Sequence, residues 1–190
     1  KFVPVKGKMK STEIGFADPE DLYYKMKNVF SWDALKRTDY FVDYQNYYTF
    51  CGVLSQRGLF VNVAKEMLKV GDTSRAVEML DMCQECVPAE NYPLDLTYLG
   101  FSNEYMVIDM IETYYNAGAS DKALDLAKRF TDELFVSTEF FLMNYDFAKR
   151  EFESCYNCIS YIADVTDHFG DADFANEIRD RFNSMLEIEE

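Results

Sequence analysis

Histidine and tryptophan occur once each in 190 residues, proline four times and glycine eight times. A single histidine leaves little material for the clustered polar chemistry of a hydrolase or a metalloenzyme. So little glycine and proline excludes collagen-like and linker-like structure. No apolar run approaches the roughly 20 residues that a membrane helix needs. Basic residues are also short: 19 Lys and Arg face 34 Asp and Glu, for a net charge of −15. That balance disfavours nonspecific binding to nucleic acid. What the chain has is apolar and aromatic mass: 48% apolar residues, with 16 Phe and 14 Tyr. A folded chain of this size buries roughly 70% of its unfolded surface, enough for one core or a short stack of repeats.

The charge is uneven. Residues 1–60 carry nine basic and seven acidic side chains, net +2, whereas residues 61–190 carry ten and 27, net −17. Lys1, Lys6, Lys8 and Lys10 stand in the first ten residues without an acid. Two readings fit that start: a solvated basic tail, or a segment beside a membrane surface or a preceding domain. A start at Lys1 rather than Met leads us to expect a fragment or a processed product, and no signal peptide is visible.

Residues 1–17 read as an extended junction, with Phe2-Val3-Pro4-Val5 as a β-like run broken by proline. Asp18-Pro19 is a helix start, because Asp caps free amides and Pro suits the first turn. A helix is expected over 19–30, with Leu22, Met26, Val29 and Phe30 on one stripe, then a polar stretch over 31–39. Helical spacing returns over 43–70, where Tyr44, Tyr47, Tyr48 and Cys51 share a face read as core. Gly52 and Gly58 weaken that helix by about 1 kcal/mol each.

The most informative pattern is a repeated turn. Gly71-Asp72-Thr73-Ser74-Arg75-Ala76, Gly118-Ala119-Ser120-Asp121-Lys122-Ala123 and Gly170-Asp171-Ala172-Asp173-Phe174-Ala175 each lie between helical stretches. Gly suits the left-handed residue that ends a helix, and Asp or Ser can cap the next one. Ala permits close approach of the two helices. The unit recurs at spacings of 47 and 52 residues. It resembles the tetratricopeptide repeat, a helix–turn–helix of about 34 residues. Phe60, Val63, Ala64, Met67, Ala76, Leu80 and Pro88 fall on that family's positions in the first copy. Ile111, Tyr114, Gly118 and Ala123 do so in the second, and Ile159, Ile162, Ala163, Gly170 and Ala175 in the third, where Arg179 replaces the aromatic.

The expected fold is therefore all-α: a tetratricopeptide-like, right-handed solenoid of about three irregular helix hairpins plus an N-terminal helix. Residues 18–190 form one helical-repeat domain, with hairpins over about 43–88, 101–137 and 139–188. Insertions fall near 89–101 and 136–153. Glu139 to Glu153, with Phe140, Phe141, Tyr145 and Phe152, is expected to extend the first helix of the third hairpin.

A wider resemblance spans most of the chain. Its elements are Phe2-Val3-Pro4-Val5, Tyr24-Lys25-Met26-Lys27-Asn28-Val29-Phe30-Ser31-Trp32, Tyr40-Phe41-Val42-Asp43 and Ala76-Val77-Glu78-Met79-Leu80-Asp81. The order is similar to that in the C-terminal soluble region of large multipass bacterial membrane proteins. The membrane part of those proteins resembles protein O-mannosyltransferases. Asp33-Ala34 stands where that family often has Gly-Gly. The resemblance implies a tetratricopeptide-like accessory region, membrane-associated through its parent and facing the periplasm, with no catalytic residue of its own.

Two Cys-x-x-Cys pairs, Cys83 with Cys86 and Cys155 with Cys158, invite a metal or redox reading. Both fall inside expected helices rather than tight turns, where Cys packs as a small apolar residue. Packing is the reading favoured, with no cofactor. His168 stands at a helix end, where a cation suits the dipole, and Asp164 and Asp167 read as helix-surface charge. In a solenoid the first helices line a groove. Its expected residues are Lys65, Lys69, Glu112, Tyr115, Asn116, Asn157, Asp164 and His168. A groove that turns acidic toward the C-terminus favours a basic or neutral partner. The function expected is a non-catalytic binding or scaffold domain. Its partner is a protein, a peptide or the chain's own membrane domain. The alternatives are presentation of an acceptor or glycan to a membrane glycosyltransferase-like enzyme, and a metal or redox module.

Overall fold

The computed structural model describes residues 18–39, 53–95 and 103–187. The expected junction 1–17, the face of Tyr44, Tyr47, Tyr48 and Cys51, and Gly52 lie outside the described residues. Eight helices and no strand occur among the described residues: α1 (Pro19–Asn28), α2 (Asp33–Lys36), α3 (Val53–Lys69), α4 (Thr73–Cys86), α5 (Asn103–Asn116), α6 (Ser120–Met143), α7 (Tyr145–His168) and α8 (Ala172–Glu187). The protein is all-helical over these residues.

Helix α1 begins as its sequence dictates. The Asp18 carboxylate accepts from the amides of Glu20 at 3.0 Å and Asp21 at 3.3 Å, and Pro19 opens the first turn. The helix ends at Asn28, two residues before the expected Phe30. There the chain turns so that Trp32 folds back: its indole N–H donates to the Met26 carbonyl at 2.8 Å, and its ring lies 4.8 Å from that of Phe60. The stretch expected to be merely polar contains the single turn α2.

The three Gly turns share one geometry. Gly71, Gly118 and Gly170 have φ of 84°, 78° and 100°. In each, the next residue's amide reaches back five residues: Asp72 to Met67, Ala119 to Tyr114 and Asp171 to Thr166, all at 2.9 Å. This is the bond that closes a helix through a left-handed residue. The alanine then donates to the residue after the glycine, Ala76 to Asp72, Ala123 to Ala119 and Ala175 to Asp171, at 3.1 Å each. All three alanines are fully buried. The capping differs between copies. Asp72 caps Arg75 with its side chain at 3.0 Å, whereas Ala119 occupies the cap of α6 and leaves Ser120 inside the helix.

Successive helices pack on one another: α3 on α4, α5 on α6, α6 on α7 and α7 on α8. The first helices also meet, α3 with α5 and α5 with α7. Gly58 lies at the first of these contacts, where a Cβ would stand 3.4 Å from the Met106 sulfur. One contiguous apolar cluster runs from Met26 to Phe182.

The boundary between α6 and α7 differs from the expected one. Leu134, Thr138 and Phe141 continue the buried stripe of α6, so Phe140 and Phe141 belong to α6 and not to the helix that follows. The break comes at Asn144, whose side-chain amide donates to the Phe140 carbonyl at 2.8 Å and closes the helix. Apolar spacing continues across this break, so spacing alone does not locate it.

Candidate functional site

The first helices α3, α5 and α7 carry the residues singled out by the sequence. Lys65 on α3 pairs with Asp109 on α5 at 2.8 Å. Glu112, one turn further along α5, accepts from the Tyr161 hydroxyl of α7 at 3.1 Å. These two contacts join three helices into one polar face. Lys69 pairs with Glu66 at 2.5 Å. Asn116 and Asn157 are exposed on α5 and α7. Asp164 lies on the α7 row of Asn157 and Tyr161, at helical spacing. Asp164 and Asp167 both hold Arg179 of α8, at 3.2 Å each. His168, exposed in the last turn of α7, sets its ring edge-on to Phe169 with centroids 5.0 Å apart.

Tyr115 departs from its expected role. It is buried, its ring stacks on Phe169 at 4.6 Å and 3°, and its hydroxyl donates to Asp171 at 2.5 Å. Burial first, then the hydrogen bond to Asp171, pushes its phenol up. Tyr115 is a packing residue that locks α5 to the α7–α8 turn, and it does not line a groove. Its neighbour Tyr114 is likewise buried, donating to Asp81 at 2.9 Å and accepting from Gln84 at 2.8 Å. Lys122 reaches the same Asp81 at 2.5 Å, so α4, α5 and α6 share one polar node.

Three residues of the face escaped the sequence reading: Asp109, Tyr161 and Arg179. Two were legible from spacing. Asp109 lies three residues before Glu112, and Tyr161 lies between Asn157 and Asp164, four and three residues away. Arg179 sits on α8, and only the tertiary packing brings it to Asp164.

A second polar centre was not visible in the sequence. Arg57 of α3 is almost fully buried and donates to the carbonyls of Tyr92 and Pro93, at 3.0 Å for Pro93. Glu133 of α6 accepts from the amides of Leu94 at 2.7 Å and Asp95 at 3.0 Å. The chain after α4 is thus held from both sides. Burial raises the Glu133 carboxyl above its ordinary range, against the lowering effect of the two amides.

The Cys-x-x-Cys pairs lie in separate helices, α4 and α7, and all four side chains are buried. Burial pushes the Cys83 thiol up to about 12 and the Cys86 thiol up to about 11. Among the described residues, no group of three or more His, Cys, Asp and Glu side chains is arranged to hold a metal ion. No described helix is long and apolar enough to cross a membrane. No family model matches the chain, and neither a curated protein nor a solved structure matches it.

Proposed function

We propose that this chain is a non-catalytic, tetratricopeptide-like helical-repeat module of solenoid type. Its first-helix face on α3, α5 and α7 binds a protein or peptide segment. The observation that carries the reading is the pair of bridges Lys65–Asp109 and Glu112–Tyr161, which align three first helices into one surface. Pairing absorbs Lys65 and Lys69 in neighbouring carboxylates. The remaining charge is acidic toward α7, where Asp164 and Asp167 share the single Arg179. Such a surface favours a basic or neutral partner over an acidic one.

The sequence resemblance implies, as part of the same proposal, that the module belongs to a multipass bacterial membrane protein. There the partner would be another protein or the parent's own membrane domain. Exposed Tyr105 and Tyr161, beside the polar side chains of α5 and α7, favour one further reading, stacking on a sugar.

The test is fluorescence anisotropy with short labelled peptides, Lys-rich or Asp-rich around a common apolar centre. The expected result is a preference of about tenfold for the basic set, reduced by Glu112→Lys with Tyr161→Ala. Equal binding of both sets, or binding indifferent to those substitutions, contradicts the proposal. Binding of a glycan panel in place of any peptide supports the sugar reading instead.

A further inference from the structure

The second helices α6 and α8 both pack on α7, and a cavity of about 230 Å³ lies between them. Its floor is the buried set Thr131, Phe135 and Ile178, and its rim carries Lys128 on α6 and Glu177 on α8. Arg181 of α8 reaches Asp132 of α6 at 2.7 Å and lies over the Phe135 ring, 4.0 Å from its centroid. That cation is neutralised within the protein. Lys128 is not. Its ammonium lies over the Phe174 ring, 5.7 Å from the centroid, and among the described residues it makes no ion pair. Glu177 lines the same cavity and makes none either. An ammonium and a carboxylate thus stand on two walls of one cavity without meeting.

The floor holds a second unmet group. Thr113, Thr138 and Thr166 each donate to the carbonyl four residues earlier, those of Asp109, Leu134 and Ile162. Thr131 makes no such bond: its hydroxyl is buried and has no hydrogen-bond partner in the protein. A buried hydroxyl left unpaired is costly. Thr131 is three residues from Lys128, on the same face of α6, so the two offer a pair of donors to one anionic group.

We propose that this cavity binds a small zwitterion, a free α-amino acid. Its carboxylate accepts from the Lys128 ammonium and the Thr131 hydroxyl, and its ammonium pairs with Glu177. Its side chain lies on Phe135, Phe174 and Ile178. A simple anion meets Glu177 here and a simple cation meets Lys128, whereas a molecule of both signs suits both. The volume is below the roughly 300–1,000 Å³ of sites for drug-sized ligands, which suits a molecule this small. A neighbouring space of about 420 Å³ shares Lys128, Phe174 and Glu177 and adds Asp171 and Asp173, so the ammonium end faces the acidic side. The site is independent of the first-helix face.

A nitrogen-15 NMR titration of the full chain with the standard free amino acids, each to about 10 mM, tests it. Leucine, methionine or phenylalanine should shift amides over residues 128–135 and 174–181, with a Kd of about 1 mM or tighter. For the tightest of them, the matching acid without the amine and the matching amine without the carboxylate should each bind about tenfold more weakly. Lys128→Met and Glu177→Gln should each weaken binding by a similar factor. Thr131→Val should also weaken it, yet leave the melting temperature of the free chain equal or higher, since no partner in the protein is lost. Absence of binding by every amino acid, or shifts confined to other helices, overturns the proposal. So do analogues with one charge that bind as tightly, or an affinity indifferent to Lys128→Met or Glu177→Gln. A Thr131→Val chain that melts lower, or binds as before, overturns it too.

Discussion

Arg75 on α4 grips Glu20 on α1 with both terminal nitrogens, each at 2.6 Å, while its Nε holds Asp72 at 2.6 Å. The guanidinium also lies over the Tyr23 ring, 5.1 Å from its centroid. Further along α4, Glu78 accepts from Tyr23 and Lys27, and Glu85 takes Lys36 of α2 at 2.6 Å. Arg75, Glu78 and Glu85 thus fasten the N-terminal helices to the first hairpin by a row of charges. The apolar part of the same contact is Met26, Trp32 and Phe60.

That fastening predicts a pH and salt response. Hydrogen bonds from Arg75 hold Glu20 below its ordinary value, and those from Lys27 and Tyr23 do the same for Glu78. A carboxylate depressed in the folded state stabilises it above the unfolded value, here 4.5 for both. The contribution is lost as pH falls through the lower folded value. Protection of the α1 amides, taken as the slowing of exchange relative to the unfolded chain at the same pH, should therefore stay high at neutral pH and fall below about pH 4. It should also fall at about 1 M salt, since the pairs are exposed to screening. Arg75→Ala should raise exchange in α1 at neutral pH while leaving α6 to α8 unchanged.

The Gly turns predict a contrast among alanine substitutions. Gly71→Ala, Gly118→Ala and Gly170→Ala meet open space, yet each forces a side chain into the left-handed region. Each should lower stability by about 1–2 kcal/mol in urea unfolding, with Asn costing less. Gly58→Ala has ordinary helical geometry and meets only the flexible end of Met106. Its helix-propensity gain of about 1 kcal/mol should leave stability equal or higher.

Glu133 predicts a distinction between charge and hydrogen bonding. Glu133→Ala removes the acceptor for the Leu94 and Asp95 amides and should cost about 1–3 kcal/mol. Glu133→Gln keeps an acceptor oxygen and has no charge to bury. It should recover most of that loss in thermal unfolding at neutral pH. Equal destabilisation by both variants would show that the ionised carboxylate itself is needed, through its attraction to Arg57.

The buried thiols predict slow chemistry. With Cys83 and Cys86 raised to about 12 and about 11, almost no thiolate exists at pH 8. Brief iodoacetamide treatment followed by peptide mass mapping should leave both unmodified in the native chain and modify both in denaturant. Rapid native labelling of Cys83 would contradict their role as packing residues.

The helices and their turns were legible because local rules govern them. Asp18-Pro19 supplies the cap and the first turn of its own helix, and the glycine of each Gly-x4-Ala unit supplies its own left-handed stop. Phe60, Ala64, Ile111, Ile159 and Ile162, which fall on the repeat's positions in the sequence, are all buried, whereas Val29 and Phe30, placed with Leu22 and Met26 on one helical stripe, are exposed. Tertiary choices were not legible. Tyr115 has the spacing of an exposed groove residue, yet Phe169 and Asp171 close over it. The α6–α7 break rests on Asn144, within a run whose apolar spacing continues on both sides. Arg57 reads as an ordinary surface cation until the backbone of Tyr92 and Pro93 folds onto it.

The most direct test of the proposed binding face is a nitrogen-15 NMR titration of the chain with the Lys-rich peptide. The account predicts shift changes concentrated on α3, α5 and α7, around Lys65, Asp109, Glu112, Asn157 and Tyr161, with little change in α4 and α8. Changes confined to other helices, or none at saturating peptide, would contradict it.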